Sequence, residues 1–308
     1  VIPVTLNIRT YHEIENAGSD LGDQVAAQQT RVEARLALVH DVVGIMSGKG
    51  GVGKSLLTAA LATLAARRGR RVGVLDADLN GPSMGRMLGC PRGPLAERPD
   101  GIDPASTPCG ALVMSMDLLL DADMALHWKE PDGAAFVWRG VQERGAVREF
   151  LADVGWGELD LLLVDLPPGV GRLAELHELV PELSGVLAVT IPSAASRDAV
   201  ARSLELAARR RIPLLGLVEN LRGYRCDGCG DVGALFGGDA AERLARRFDV
   251  PVLGGLPFDP TLDRAAAYGE LDAWLSAGGP TAIELGRIGE ALDAALGAGR
   301  SAGEVASR

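Results

Sequence analysis

Gly48-Lys49-Gly50-Gly51-Val52-Gly53-Lys54-Ser55 fits the phosphate-binding pattern G-x-x-x-x-G-K-[ST] at each fixed position and carries a second lysine, Lys49, in its variable part. Four of these eight residues are glycine. The backbone can therefore curl with successive N–H groups turned inward, which makes a concave anion site. Lys54 is set to reach the β and γ phosphates, and the Ser55 hydroxyl to ligate Mg²⁺. Before the loop, Val42-Val43-Gly44-Ile45-Met46 reads as a buried strand. After it, the run from Leu56 to Ala66 is rich in helix formers, so the N–H groups of Ser55 and Leu56 open a helix whose positive end faces the anion. The predicted nucleotide-binding stretch is thus 48–56, and strand, glycine loop and helix together predict an α/β fold.

Working outward, short apolar runs alternate with helical stretches. Strands are predicted over 42–46, 71–75, 111–116, 159–164, 185–191, 214–218 and 252–256. Helices are predicted over 55–68, 140–152, 196–211, 240–248 and 282–298. That alternation implies a mostly parallel sheet flanked by helices on both faces, a three-layer arrangement. Ligands of such sheets bind beyond the carboxyl ends of the strands, where each motif below falls. Residues 1–40 are set apart as an N-terminal arm or helix, with a short strand expected near Val4 to Ile8. The main domain is predicted over 41–299, with an insertion at 222–238, and 300–308 as a flexible tail.

Two acids leave the second strand in Asp76-Ala77-Asp78, followed by Leu79-Asn80-Gly81-Pro82-Ser83. One can hold Mg²⁺ and the other can orient a water. Leu161-Leu162-Leu163-Val164-Asp165 is an apolar strand ending on a single acid, the pattern of a second Mg²⁺ carboxylate in phosphate-loop enzymes. Leu166-Pro167-Pro168-Gly169-Val170-Gly171 follows, stiff at one end and free at the other, which suits a segment that senses the γ-phosphate.

The chain has four cysteines, too few for a disulfide framework at 308 residues. Cys226-Asp227-Gly228-Cys229 lies in a glycine-rich connection. Two thiolates two residues apart can grip one metal, but a closed tetrahedral site needs four ligands. Either Cys90 and Cys109 complete a zinc site, or a second copy supplies its own pair across a two-fold axis. Four thiolates suit zinc and an iron–sulfur cluster alike. A redox pair is a third reading; metal is preferred because the pair sits in a loop and not at a helix start. His12, His40, His127 and His177 show no ligand spacing, and the four tryptophans no stacking pattern.

The net charge of −10 disfavours an electrostatic grip on nucleic acid or anionic lipid. No uncharged apolar run reaches about 18 residues, so no membrane span is expected. With no secretory pattern at the N-terminus, a reducing cytoplasmic setting is expected.

The doubled-lysine loop resembles the deviant Walker A group of P-loop NTPases that includes MinD and ParA. Within that group Asp76-Ala77-Asp78-Leu79-Asn80-Gly81-Pro82-Ser83, Trp138-Arg139-Gly140, Asp165-Leu166-Pro167-Pro168-Gly169, Glu219-Asn220, Cys226/Cys229 and Phe236-Gly237-Gly238 resemble the Mrp (ApbC) branch, the iron–sulfur cluster carrier ATPases. The resemblance implies a homodimeric ATPase that carries a four-iron–four-sulfur cluster, bridged by Cys226 and Cys229 of both subunits, to recipient apoproteins. It implies that Lys49 reaches the partner's nucleotide, that Lys54 binds phosphate, and that Asp78 positions the attacking water. Ser55, Asp76 and Asp165 would hold Mg²⁺, and Asn220 would contact adenine. Where the family has Pro-Pro-Gly-Thr-Gly-Asp, this chain has Val170 and Arg172 at the Thr and Asp positions. Slow hydrolysis is therefore expected. Two rival readings are a MinD/ParA-like positioning or partitioning ATPase, which would use a basic amphipathic C-terminal helix, and a nucleotide-sensing adaptor with little hydrolysis.

Overall fold

The computed structural model describes residues 21–119, 135–226 and 228–306. In chain order its elements are α1 (Leu21–Leu36), β1 (Val42–Ser47), α2 (Lys54–Arg67), β2 (Val72–Asp76), α3 (Met84–Met87), β3 (Glu97–Arg98), β4 (Gly101–Ile102), β5 (Ala105–Ser106) and β6 (Leu112–Met114). They continue with α4 (Ala135–Asp153), β7 (Leu161–Asp165), α5 (Gly171–Leu179), β8 (Gly185–Thr190), α6 (Ala194–Arg209), β9 (Leu214–Glu219), β10 (Tyr224–Arg225) and β11 (Val232–Gly233). The last are α7 (Ala240–Phe248), β12 (Val252–Gly255), α8 (Pro260–Tyr268), α9 (Leu271–Ala277) and α10 (Pro280–Ala306).

Each strand predicted from residue 42 onward is present in one eight-stranded sheet of order β12-β9-β8-β1-β7-β2-β6-β5. All its pairings are parallel except β5 with β6. The edge strand β5 has two residues, too few to show a period in the sequence. Because strand side chains alternate between faces, the apolar runs divide into two cores. Val43 and Ile45 of β1, with Leu161 and Leu163 of β7, pack against α2, α8 and α10. Val42 and Met46, with Leu162 and Val164, pack against α4, α5 and α6 on the other face. Both faces are covered, so the central strands are buried along their length. Each fully buried leucine here contributes on the order of 2 kcal/mol.

The first and last described helices join this frame. α1 packs on α4, with Val32 fully buried, and is tied by Arg31 to Asp153 at 3.2 Å and by Arg35 to Asp100 at 3.1 Å. The strand expected near Val4 lies outside the described residues. α10 turns Leu285, Ile288, Leu292 and Leu296 into the core, so its apolar stripe is already occupied. Its backbone is helical as far as Ala306, beyond the 282–298 that periodicity marks. Among the described residues no helix is long and apolar enough to cross a membrane.

Candidate functional site

The phosphate loop joins β1 to α2 at the carboxyl end of the central strand. Two of its glycines are required by close approach or backbone shape. Gly48 lies against α6, and a Cβ there would stand 2.5 Å from backbone atoms of Ala199 and Val200. Gly53 has φ +82, and a Cβ on it would fall 2.0 Å from Asn220 Nδ2. Asn220 uses that Nδ2 to donate to the Val52 carbonyl at 2.9 Å. The loop is thus pinned from the end of β9, a strand far away in sequence.

Side chains of the first turn of α2 converge on Asp165, the fully buried end of β7. Lys54 Nζ is 2.7 Å from Asp165 Oδ2, and the Ser55 hydroxyl donates to the same oxygen at 2.6 Å. Thr58 Oγ1 lies 2.8 Å from Oδ1. Thr58 was missed in the sequence, although it follows Lys54 by one helical turn and so shares its face.

Asp76 is the register partner of Asp165 across β2 and β7. Its Oδ2 accepts from the Ser83 N–H at 2.8 Å, the Met84 N–H at 3.1 Å and the Ser115 hydroxyl at 2.9 Å. Its Oδ1 accepts from the Asp78 N–H at 3.1 Å. Burial pushes the Asp76 carboxyl above the usual carboxylate range, and the charge of Asp165 adds to this against the pull of those donors. Of these two buried carboxylates only Asp165 has an ion-pair partner among the described residues, the buried Lys54 ammonium. That deficit of positive charge, beside the Ser55 hydroxyl, is an all-oxygen donor set of the kind Mg²⁺ takes.

Asp78 is partly exposed, in a turn closed by the Gly81 N–H on its carbonyl at 3.1 Å. Lys49 is exposed and has no ion pair among the described residues. Past the loop a small open-mouthed cleft is bordered by Gly53, Asn220, Leu221, Pro257, Phe258 and Leu262. The residues after β12 were not singled out from sequence, because nothing local to them marks a wall for a site centred on β1. Leu221 holds φ +56, a left-handed conformation uncommon for leucine, at the corner where the chain leaves β9.

Beyond that corner β10 and β11 form a hairpin inside the predicted 222–238 insertion. Its turn is closed by the Cys226 N–H on the Asp231 carbonyl at 2.9 Å and the Gly230 N–H on the Cys226 carbonyl at 2.8 Å. Cys229 is exposed, with Sγ 3.4 Å from Asp231 Oδ2. Arg225 braces the hairpin by donating to the Gly230 carbonyl at 2.9 Å and to Thr281 Oγ1 at 3.2 Å. Tyr224 stacks on Phe258 with ring centroids 6.1 Å apart. Val232, Leu235 and Phe236 are exposed nearby in the sequence.

The reading in which Cys90 and Cys109 complete a metal site with this pair is not realised. Among the described residues no three or more His, Cys, Asp or Glu side chains group to hold a metal. The reason is topological. Cys109 precedes β6, at the amino end of the sheet, whereas Cys226 follows β9 at the carboxyl end. Cys90 packs against the core, where burial, then Asp117 and Cys109, push its thiol up to about 12. Of Trp138-Arg139-Gly140 the structure describes only the helical backbone.

A family model described as ParA, NUBPL iron-transfer P-loop NTPase, matches residues 38–288. An iron-sulfur cluster carrier protein of Saccharolobus solfataricus is 39% identical over 252 residues, 81% of this chain and 82% of that protein. The human cytosolic Fe-S cluster assembly factor NUBP2 is 37% identical over 239 residues, 76% of this chain and 85% of its own. Among solved structures, a nucleotide-binding protein of Archaeoglobus fulgidus in complex with ADP superposes with a TM-score of 0.68 at 32% identity, over 83% of this chain and 96% of its own. The cell division ATPase MinD of Pyrococcus furiosus shares the fold, with a TM-score of 0.57 at 21% identity over 82% of this chain and 98% of its own.

Proposed function

Since the chain belongs to the ParA-type family of iron-transfer P-loop NTPases, we propose that it binds and slowly hydrolyses ATP and carries an iron–sulfur cluster to recipient apoproteins. The observation that carries this reading is the course of β9. Its end places Asn220 on the phosphate loop, and a short connection then leads to the exposed cysteine hairpin. Nucleotide and cargo would thus be read by one rigid strand.

In this reading Lys54 leaves Asp165 for the β and γ phosphates, and the N–H groups of 48–56 wrap them. Ser55, Asp76 and Asp165 would hold Mg²⁺, which neutralises charge on the phosphate oxygens when bound. Asp78, on its partly exposed turn, orients the attacking water. Lys49, exposed and without an ion pair among the described residues, would act on the nucleotide of a second copy. Asn220 and the cleft beside it take the base. Two copies brought together by nucleotide would offer Cys226 and Cys229 twice, the four thiolates that a four-iron–four-sulfur cluster needs. Zinc would find the same four ligands. The relatives named as cytosolic assembly factors support a cytoplasmic setting.

The test is anaerobic reconstitution followed by iron analysis and visible absorption. Cys226→Ser and Cys229→Ser are each expected to lose the cluster and keep nucleotide binding. Lys54→Ala is expected to lose nucleotide binding by at least about tenfold, since it removes the phosphate-reaching ammonium. Full iron loading in either cysteine variant would refute the carrier reading. ATP-dependent co-sedimentation with liposomes or DNA would favour the positioning ATPase instead.

A further inference from the structure

Glu143 of α4 is a buried carboxylate, 6% exposed, with both oxygens engaged. Its Oε1 accepts from Asn80 Nδ2 at 2.7 Å, and its Oε2 accepts from Arg172 Nη2 at 2.5 Å. The other edge of the guanidinium donates to Glu175 Oε2 at 3.0 Å. The two donors arrive from different ligand-side segments. Asn80 stands in the turn that Asp78 opens, and Arg172 ends the segment that starts at Asp165. One carboxylate therefore joins the turn after β2 to the start of α5, where the loop after β7 ends.

Charge makes this link specific. A buried carboxylate needs a paired cation, and Arg172 is the cation it has. Glu143 and Arg172 thus make sense as a pair. A small open cleft bordered by Ala77, Glu143, Pro167 and Arg172 lies beside the link.

We propose that Asn80, Glu143 and Arg172 form a brace that fixes the Asp78 turn against the loop after β7, with Arg172 a positioning residue for triphosphate hydrolysis. This rests on the reading above, in which Asp78 orients the attacking water. Arg172 acts through Glu143 and Asn80, and its hydrogen bonds among the described residues go to Glu143 and Glu175.

The experiment compares the full chain with Arg172→Ala, Arg172→Lys, Asn80→Ala and the Arg172→Ala/Asn80→Ala double variant. It reads steady-state phosphate release, affinity for a fluorescent nucleoside diphosphate, and amide hydrogen exchange of peptides covering 77–84. Each alanine variant is expected to lower kcat about tenfold, with KM and diphosphate affinity within about twofold. The double variant should lose no more than the worse single one, because the residues act as one unit. Arg172→Lys, which keeps one charged bond, should fall between. Exchange over 77–84 should rise in Arg172→Ala even though the substitution is on another element. Losses that multiply in the double variant, a loss confined to KM, or unchanged exchange over 77–84 would each overturn the brace. If Arg172→Ala does not fold, Asn80→Ala at the exposed end carries the same readouts. If the unaltered chain releases no more phosphate than Lys54→Ala, hydrolysis in the proposed function has failed, and the exchange over 77–84 alone decides the brace.

Discussion

At the scale of single residues the phosphate loop distinguishes two roles for glycine that look alike in sequence. Gly51 has φ +75 with nothing within 4 Å of a would-be Cβ, whereas Gly53 has φ +82 and meets Asn220 Nδ2. Gly51→Ala therefore costs only backbone strain, about 1 kcal/mol. Gly53→Ala adds the displacement of Asn220 from Val52, and the nucleotide pocket loses its wall. Nucleotide affinity is expected to fall at least about tenfold in Gly53→Ala and less than about threefold in Gly51→Ala, measured by titration calorimetry. Equal losses in the two would sink the argument. The motif itself was readable because each of its residues acts within eight positions of the others. Asn220, 168 residues from Val52, was reached only through resemblance to a family.

At the scale of elements the helix pair α1 and α4 carries a pH signature. Burial, with Asp153 adding, pushes the Glu149 carboxyl up to about 7, against the pull of Arg148 and Arg31. A carboxyl raised in the folded state binds a proton there that the unfolded chain has released. Stability contributed at this position is thus highest below the ordinary value and falls as pH rises through about 5 to 7. Glu149→Gln should leave the melting temperature near pH 5 little changed. At pH 8 it should raise it by a few degrees, on the order of 1 kcal/mol after allowance for partial exposure. A parallel pH profile in the variant, followed by calorimetry, would remove Glu149 as the cause. Periodicity located α4 but not its partner face, because the charged and alanine-rich α1 has no strong stripe until Val32 and Leu36 meet α4.

For the whole molecule the argument turns on numbers of ligands. One chain offers Cys226 and Cys229 at the carboxyl end of the sheet, and the sheet itself keeps Cys109 at the opposite end. For a four-thiolate site a single copy would be two thiolates short. Light scattering under anaerobic conditions should find a dimer when ATP and iron are both supplied, and a lower dimer fraction in Cys226→Ser. Lys49→Ala should slow phosphate release by about tenfold or more, as loss of a residue acting in trans does, and leave nucleotide affinity near that of the unaltered chain. A monomer under every condition would end the shared-cluster reading.

The sequence by itself determined the α/β class, the parallel strands and the phosphate loop, because each depends on contacts between near neighbours: alternation along a strand, helix formers after glycine, an acid at a strand tip. It also marked Asp76 and Asp165, since each closes an apolar run. Only the tertiary structure decided which distant groups share a charge. Hydrogen bonds and ion pairs act over about 3 Å, and that distance is set by strand order, which local pattern does not encode. So it brought Lys54, Ser55 and Thr58 to one carboxylate, put Asn220 against Gly53, and parted Cys109 from Cys226.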